Sequence, residues 1–102
     1  MAKLLVMYKT PADPAAFDAY YYGTHVPIAK KIPGLRRYEV SAGPVGTPGG
    51  PSAYHLLATL TFDTPADIAA AFASPEGRAT AADLAKFAQA GVEMLIYDTK
   101  VI

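Results

Sequence analysis

Cysteine is absent from this chain of 102 residues. Disulfides and thiolate metal sites are thereby excluded. Excess charge of either sign is absent too: 9 Lys and Arg balance 9 Asp and Glu. A formally neutral chain has no electrostatic pull toward nucleic acid or an anionic membrane, so neither is expected as a partner. Histidine is scarce. The 2 residues of that type stand in neither an HxH nor an HExxH spacing, so no metal is expected. Long apolar runs are missing near the start, where residues 4–8 are too few for the core of a secretory leader or a membrane span. A soluble cytoplasmic protein is the expectation.

What the chain does have is a 52% share of hydrophobic residues, enough for one globular domain over residues 1–102. Residues 3–9 are a short apolar run bounded by lysines and read as a buried strand. Asp13 and Pro14 form a helix start, cap then proline. The helix should run from Pro14 to about Val26, kink or end at Pro27, and continue for a last turn to Lys31. Residues 35–42 alternate as a half-exposed strand. Residues 43–52 are dense in Gly and Pro and form a loop, either a hairpin connection or a lid. That loop lacks the GK[ST] and GxGxxG patterns, so it is no phosphate cradle.

Residues 54–62 are a third strand. Tyr54, Leu56, Ala58, Leu60 and Phe62 should share one face, and His55, Leu57, Thr59 and Thr61 the other. Thr64, Pro65 and Asp67 open a helix through a capping box. A second helical piece follows to Gly91, and residues 92–98 are the last strand. The order β-α-β-β-α-β with right-handed crossovers gives an α+β, ferredoxin-like sandwich: a four-stranded antiparallel sheet in the order 4-1-3-2, with helices on one face. The central first strand is apolar on both sides, with Leu4, Val6 and Tyr8 opposed to Leu5 and Met7. The last strand repeats this with Met94 and Ile96 against Leu95 and Tyr97. A sheet with one solvated face should be polar there. A second copy, packed sheet to sheet as a homodimer, is the simplest cover.

The first helix carries the chemistry. Helical spacing aligns Phe17, Tyr21, His25 and Ile28 toward the sheet, with Tyr20 and Thr24 at the edge of the stripe. Tyr22 falls off it. Tyr21 and His25 are four apart, so their polar ends could share a small apolar space and exchange a proton with a ligand. Burial would keep the imidazole neutral, as a base. The other reading is a structural histidine, bonded to backbone near Pro27. Tyr8 and Tyr38 could reach the same helix-side space. His55 reads as structural, lining a subunit interface or exposed. Glu39 shares a strand face with Arg37, and Glu93 with Tyr97; ion pairs at a subunit interface are the expected role, and a catalytic carboxylate is the other reading. Arg36 and Arg37 read as solvated. Gly23, mid-helix, could admit close packing or a ligand.

The stretch FDAYYYGTHVPIAKKIPGLRRYEVS closely resembles the signature of the EthD family, named for ethyl tert-butyl ether degradation. Phe17, Tyr20, Tyr21, His25, Pro27 and residues 33–40 carry the likeness, and residues 74–88 resemble that family's second-helix region. The resemblance implies a dimeric α+β barrel that binds apolar, often aromatic or ring-shaped molecules between sheet and helices. Similar barrels include cofactor-free monooxygenases, isomerases, cyclases and decarboxylases. No cofactor is expected, although the resemblance leaves haem open because related barrels can use it. The resemblance implies His25 as general acid or base with Tyr21 orienting it or the substrate, and Phe17, Tyr20, Ile28, Tyr8 and Tyr38 as substrate contacts. The alternative is a dimeric binding or accessory protein that catalyses nothing.

Overall fold

Alternation sets the first strand. β1 (Ala2–Lys9) buries Ala2, Leu4, Val6 and Tyr8 and leaves Lys3, Leu5 and Met7 half-buried on the opposite face. The computed structural model describes residues 1–102, and in it β1 lies at the centre of a four-stranded antiparallel sheet. Its neighbours are β5 (Tyr54–Phe62) and β6 (Val92–Asp98), and β2 (Arg37–Val40) lies outside β5. The order β2-β5-β1-β6 is the ferredoxin-like arrangement. Helices cover one face. No helix is long and apolar enough to cross a membrane. The 43–52 loop is a hairpin connection built on a short ribbon of β3 (Gly46–Thr47) and β4 (Gly50–Pro51).

The first helix starts as the sequence requires: Asp13 accepts the N–H of Ala16 at 3.1 Å ahead of Pro14. It departs from expectation further on. α1 (Pro14–Tyr20) passes into a π turn, Tyr21–His25, and then into α2 (Val26–Ala29) without ending at Pro27. The N–H of Val26 reaches back to the carbonyl of Tyr21, one residue further than in an α-helix. The proline, with no N–H to give, sits at the seam where the α ladder is already skipped. The longer turn also changes which side chains point inward. Residues 17, 21, 25 and 29 are buried, so Ala29 takes the inward place expected of Ile28. Ile28 is half-buried on the outer surface, near Lys31 and Glu76. Gly23 meets no neighbour that a Cβ would touch, so it serves no close packing.

α3 (Pro65–Ala73) carries the expected capping box, Thr64 and Asp67 bonding reciprocally. Ser74 caps α4 (Pro75–Phe87) in turn. The glycine that matters is Gly77, because a Cβ there would overlap the carbonyl oxygen of Ala71 and force the two helices apart. α4 ends at Phe87, and a turn from Ala88 to Gly91, closed by a 3.1 Å backbone bond, replaces its expected last turn.

β6 is the uncovered edge. Met94, Leu95, Ile96 and Tyr97 are each about half exposed, on both faces of the sheet. On the face away from the helices, Leu5 stands between Thr59 and Leu95, and Met7 beside Leu57. That apolar face is bare in a single chain.

Candidate active site

The cavity lies between the sheet and the helices. It measures about 150 Å³ and is lined by thirteen residues, of which only His25 and Thr80 are not hydrophobic. β1 supplies Val6 and Tyr8, β2 supplies Tyr38, α4 supplies Leu84, and half-exposed Met94 of β6 also borders it. An apolar cavity of that order accommodates a benzene-sized guest.

The π turn brings His25 to this cavity with its side chain 4% exposed. Nδ1 lies 2.9 Å from Oδ2 of Asp83, and the other carboxylate oxygen accepts the Tyr20 hydroxyl at 2.7 Å. An ionised carboxylate can only accept, so Nδ1 carries the proton and Nε2 is left with a lone pair. Nε2 makes no hydrogen bond within the protein, and the ring that carries it lines the cavity. Burial lowers the His25 pKa, and the hydrogen bond and charge of Asp83 oppose that without reversing it. Burial pushes the Asp83 carboxyl up, but the hydrogen bonds from Tyr20 and His25 outweigh it and hold the group below its ordinary value. A neutral imidazole beside a carboxylate is the state both shifts favour.

Aromatic packing fixes the ring. Phe87 lies against His25 with centroids 4.6 Å apart, and Phe17 stacks on Tyr21 at 5.8 Å. Tyr8 meets both Phe17 and Tyr21 edge-on, at 5.4 and 5.5 Å.

His25, Tyr8 and Tyr38 thus meet at one cavity. The polar ends of Tyr21 and His25 do not meet. The Tyr21 hydroxyl bonds that of Tyr38 at 2.6 Å, and Asp83 takes the place beside the imidazole. Phe17 and Tyr20 border an outer groove instead of the cavity. Asp83 was not foreseen. The signal was present in the inward stripe of α4, where Gly77, Thr80, Asp83 and Phe87 are buried: a carboxylate on a helix face that is otherwise uncharged.

His55 does not share a face with Leu57. A bulge between Tyr8 and Lys9 pairs Lys9 with Tyr54 and turns His55 to the helix side. There it lies edge-on to Phe17 at 5.1 Å and 2.7 Å from Asp18. Glu93 bonds Tyr54 at 2.9 Å and sits 3.8 Å from Lys9. Glu39 and Arg37 do pair, at 3.3 Å, whereas Arg36 is engaged by Asp63 through two hydrogen bonds. No cluster of three or more His, Asp or Glu side chains is placed to hold a metal ion.

The EthD domain model matches residues 9–91. An uncharacterized 11.0 kDa protein of Rhodococcus erythropolis, from the thcB-thcC intergenic region, is 43% identical over all of this chain and 98% of its own length. The crystal structure of an EthD family protein from Bacillus halodurans superposes with a TM-score of 0.90 at 36% identity, over 98% of this chain and 99% of that one. SnoaB, a cofactor-independent oxygenase of Streptomyces nogalater, shares the fold with a TM-score of 0.69 at 14% identity, over 99% and 94% of the two chains. Dimeric proteins of unknown function are among the other structures with this fold.

Proposed function

The chain belongs to the EthD family, and on that footing we propose that it binds a small apolar ring or carbonyl compound under its first helix and moves a proton on it. His25 is the base, and Asp83 holds its tautomer. The observation that carries this reading is the buried pair at 2.9 Å whose imidazole lines an apolar cavity. A dry, shaped space and one proton acceptor suffice for isomerisation, cyclisation, decarboxylation or cofactor-free oxygenation. SnoaB, on the same fold, is named as an oxygenase of that last kind. The acting form is a homodimer joined through the bare sheet faces. In support, Leu5, Met7, Leu57 and Leu95 lie together on the face no helix covers, and dimeric proteins share the fold.

The test is a thermal-shift screen of phenols, quinones, lactones and short ethers, followed by turnover assays on the hits. Compounds that stabilise the protein and are converted by the wild type, but not by His25→Asn, support the reading. Binding without conversion leaves a ligand-binding protein, and no binding at all ends the proposal. For the assembly, Leu5→Glu should halve the solution mass measured by light scattering.

A further inference from the structure

We propose that the cavity takes a single-ring phenol or enolisable ring ketone and holds it as its oxyanion, with the oxygen between the Tyr8 and Tyr38 hydroxyls and the proton on His25 Nε2. This rests on the proton-transfer reading above and narrows it to a substrate class.

Tyr8 is the first observation. It is 2% exposed, yet its hydroxyl makes no hydrogen bond within the protein, and no polar side-chain atom is both sealed and unpaired. A buried hydroxyl is normally paired. This one belongs to a side chain that lines the cavity, so its natural partner is a guest.

Tyr38 is the second. Its hydroxyl shares one hydrogen bond, with Tyr21 at 2.6 Å. Tyr21 is 0% exposed and does not border the cavity. Were Tyr38 the donor, the Tyr21 proton would be buried without an acceptor. Tyr21 therefore donates, and the O–H of Tyr38, a residue that lines the cavity, is left free to donate. Tyr21 is a positioning residue. The Thr80 hydroxyl is already engaged with the Glu76 carbonyl at 2.8 Å.

Two tyrosines with an O–H to give and one imidazole with a lone pair thus line a cavity otherwise walled almost wholly by hydrocarbon. Burial raises the pKa of both tyrosines above the ordinary value, so they stay protonated as donors. The matching guest arrives neutral, gives up one proton and then accepts hydrogen bonds on oxygen. An O–H bond of a phenol, or the C–H bond beside a ring carbonyl, breaks. Its electron pair remains on the guest as phenolate or enolate, and a new N–H bond forms at Nε2. The imidazolium is balanced by Asp83, so the site's net charge is unchanged. A carboxylate guest is disfavoured, because it would bring a second negative charge before His25 could become positive. The volume of about 150 Å³ admits one ring, and a second fused ring would have to protrude past Met94.

The experiment titrates the protein with 4-chlorophenol, chlorobenzene and 2-naphthol by calorimetry, and reads phenolate formation by ultraviolet difference absorption. 4-Chlorophenol should bind at least about tenfold more tightly than chlorobenzene and show the phenolate band. Tyr8→Phe and Tyr38→Phe should each weaken it about tenfold and leave chlorobenzene unaffected. His25→Asn should remove the phenolate band. Equal binding of chlorobenzene and 4-chlorophenol, untouched by either tyrosine change, would overturn the oxyanion site while the apolar pocket stood. Equal affinity for 2-naphthol would overturn the single-ring limit. Failure of all three, together with every compound of the wider screen, would overturn the pocket itself.

Discussion

The molecule contains two histidine–aspartate pairs of nearly the same length. His25 lies 2.9 Å from Asp83, and His55 lies 2.7 Å from Asp18. Their surroundings differ. The first pair has side chains 4% and 5% exposed, the second 21% and 48%. Water solvates Asp18 and weakens its hold on its partner, whereas Asp83 is out of water and must be satisfied by Tyr20 and His25. The His25 ring also opens on a cavity, which the His55 ring does not line. Residue type and pairing distance are therefore common to both pairs, and burial beside a void is what makes one of them a candidate base.

The largest effect expected follows from removing that base. His25→Asn should lower turnover of any identified substrate by roughly 10²–10⁴, the usual range for a general base. His55→Asn should leave kcat within about twofold, since it moves no group at the cavity. Equal losses from the two changes, measured as kcat on folded protein, would erase the contrast.

Asp83→Asn comes next and isolates the carboxylate. An asparagine still accepts the Tyr20 hydroxyl through its oxygen but presents an N–H group to the imidazole. His25 would then shift its proton to Nε2 and meet the cavity as a donor. Turnover should fall about 10²-fold or more, with binding of a neutral ring compound preserved. Nitrogen-15 chemical shifts of the imidazole report the tautomer directly. A wild-type pattern in Asp83→Asn would remove Asp83 from the mechanism.

The pH dependence is smaller and has a definite sign. The His25 pKa is lowered in the fold from its ordinary 6.5, so the unfolded chain binds a proton that the native protein refuses. Stability from this group is complete above pH 6.5 and declines as pH falls below it. Asp83, also lowered, loses its contribution only at more acid pH, as it protonates. The melting temperature should thus fall between neutral pH and pH ~5, and less steeply in His25→Asn. An equally steep fall in His25→Asn would show that another group is responsible.

Much of the fold was legible in the sequence because two-residue and helical periodicities report burial directly. The four sheet strands, their order and the capping of α3 came from that pattern and from turn chemistry. The inward stripe of the first helix was legible as far as His25. Ile28 and Ala29 exchanged places because the π turn adds a residue to the register, and a helical wheel has no term for it. His55 changed faces for the corresponding reason in a strand, a single bulged residue opposite Lys9. Asp83 escaped because it lies 58 residues from His25, a distance only the tertiary fold spans. Tyr21 and Tyr38 illustrate the same limit, since which hydroxyl meets the cavity depends on contacts between a helix and a strand.

The smallest effect belongs to the exposed pair and sharpens the comparison most cleanly. Asp18→Asn keeps the shape of the side chain and removes only its charge. A partly exposed side-chain pair contributes about 0–1 kcal/mol, so chemical denaturation should register a change within that range. His55→Ala removes in addition the edge-on contact with Phe17, worth about 0.5–1.5 kcal/mol, and should be the more destabilising of the two. If the pair is only structural, neither change moves the pH profile of turnover or the spectrum of a bound phenol. A shift in either would mean that Phe17, stacked on Tyr21, passes strain from β5 to the hydroxyls at the cavity. The two pairs would then be coupled, and a double-mutant cycle of His55→Ala with Tyr38→Phe would measure by how much.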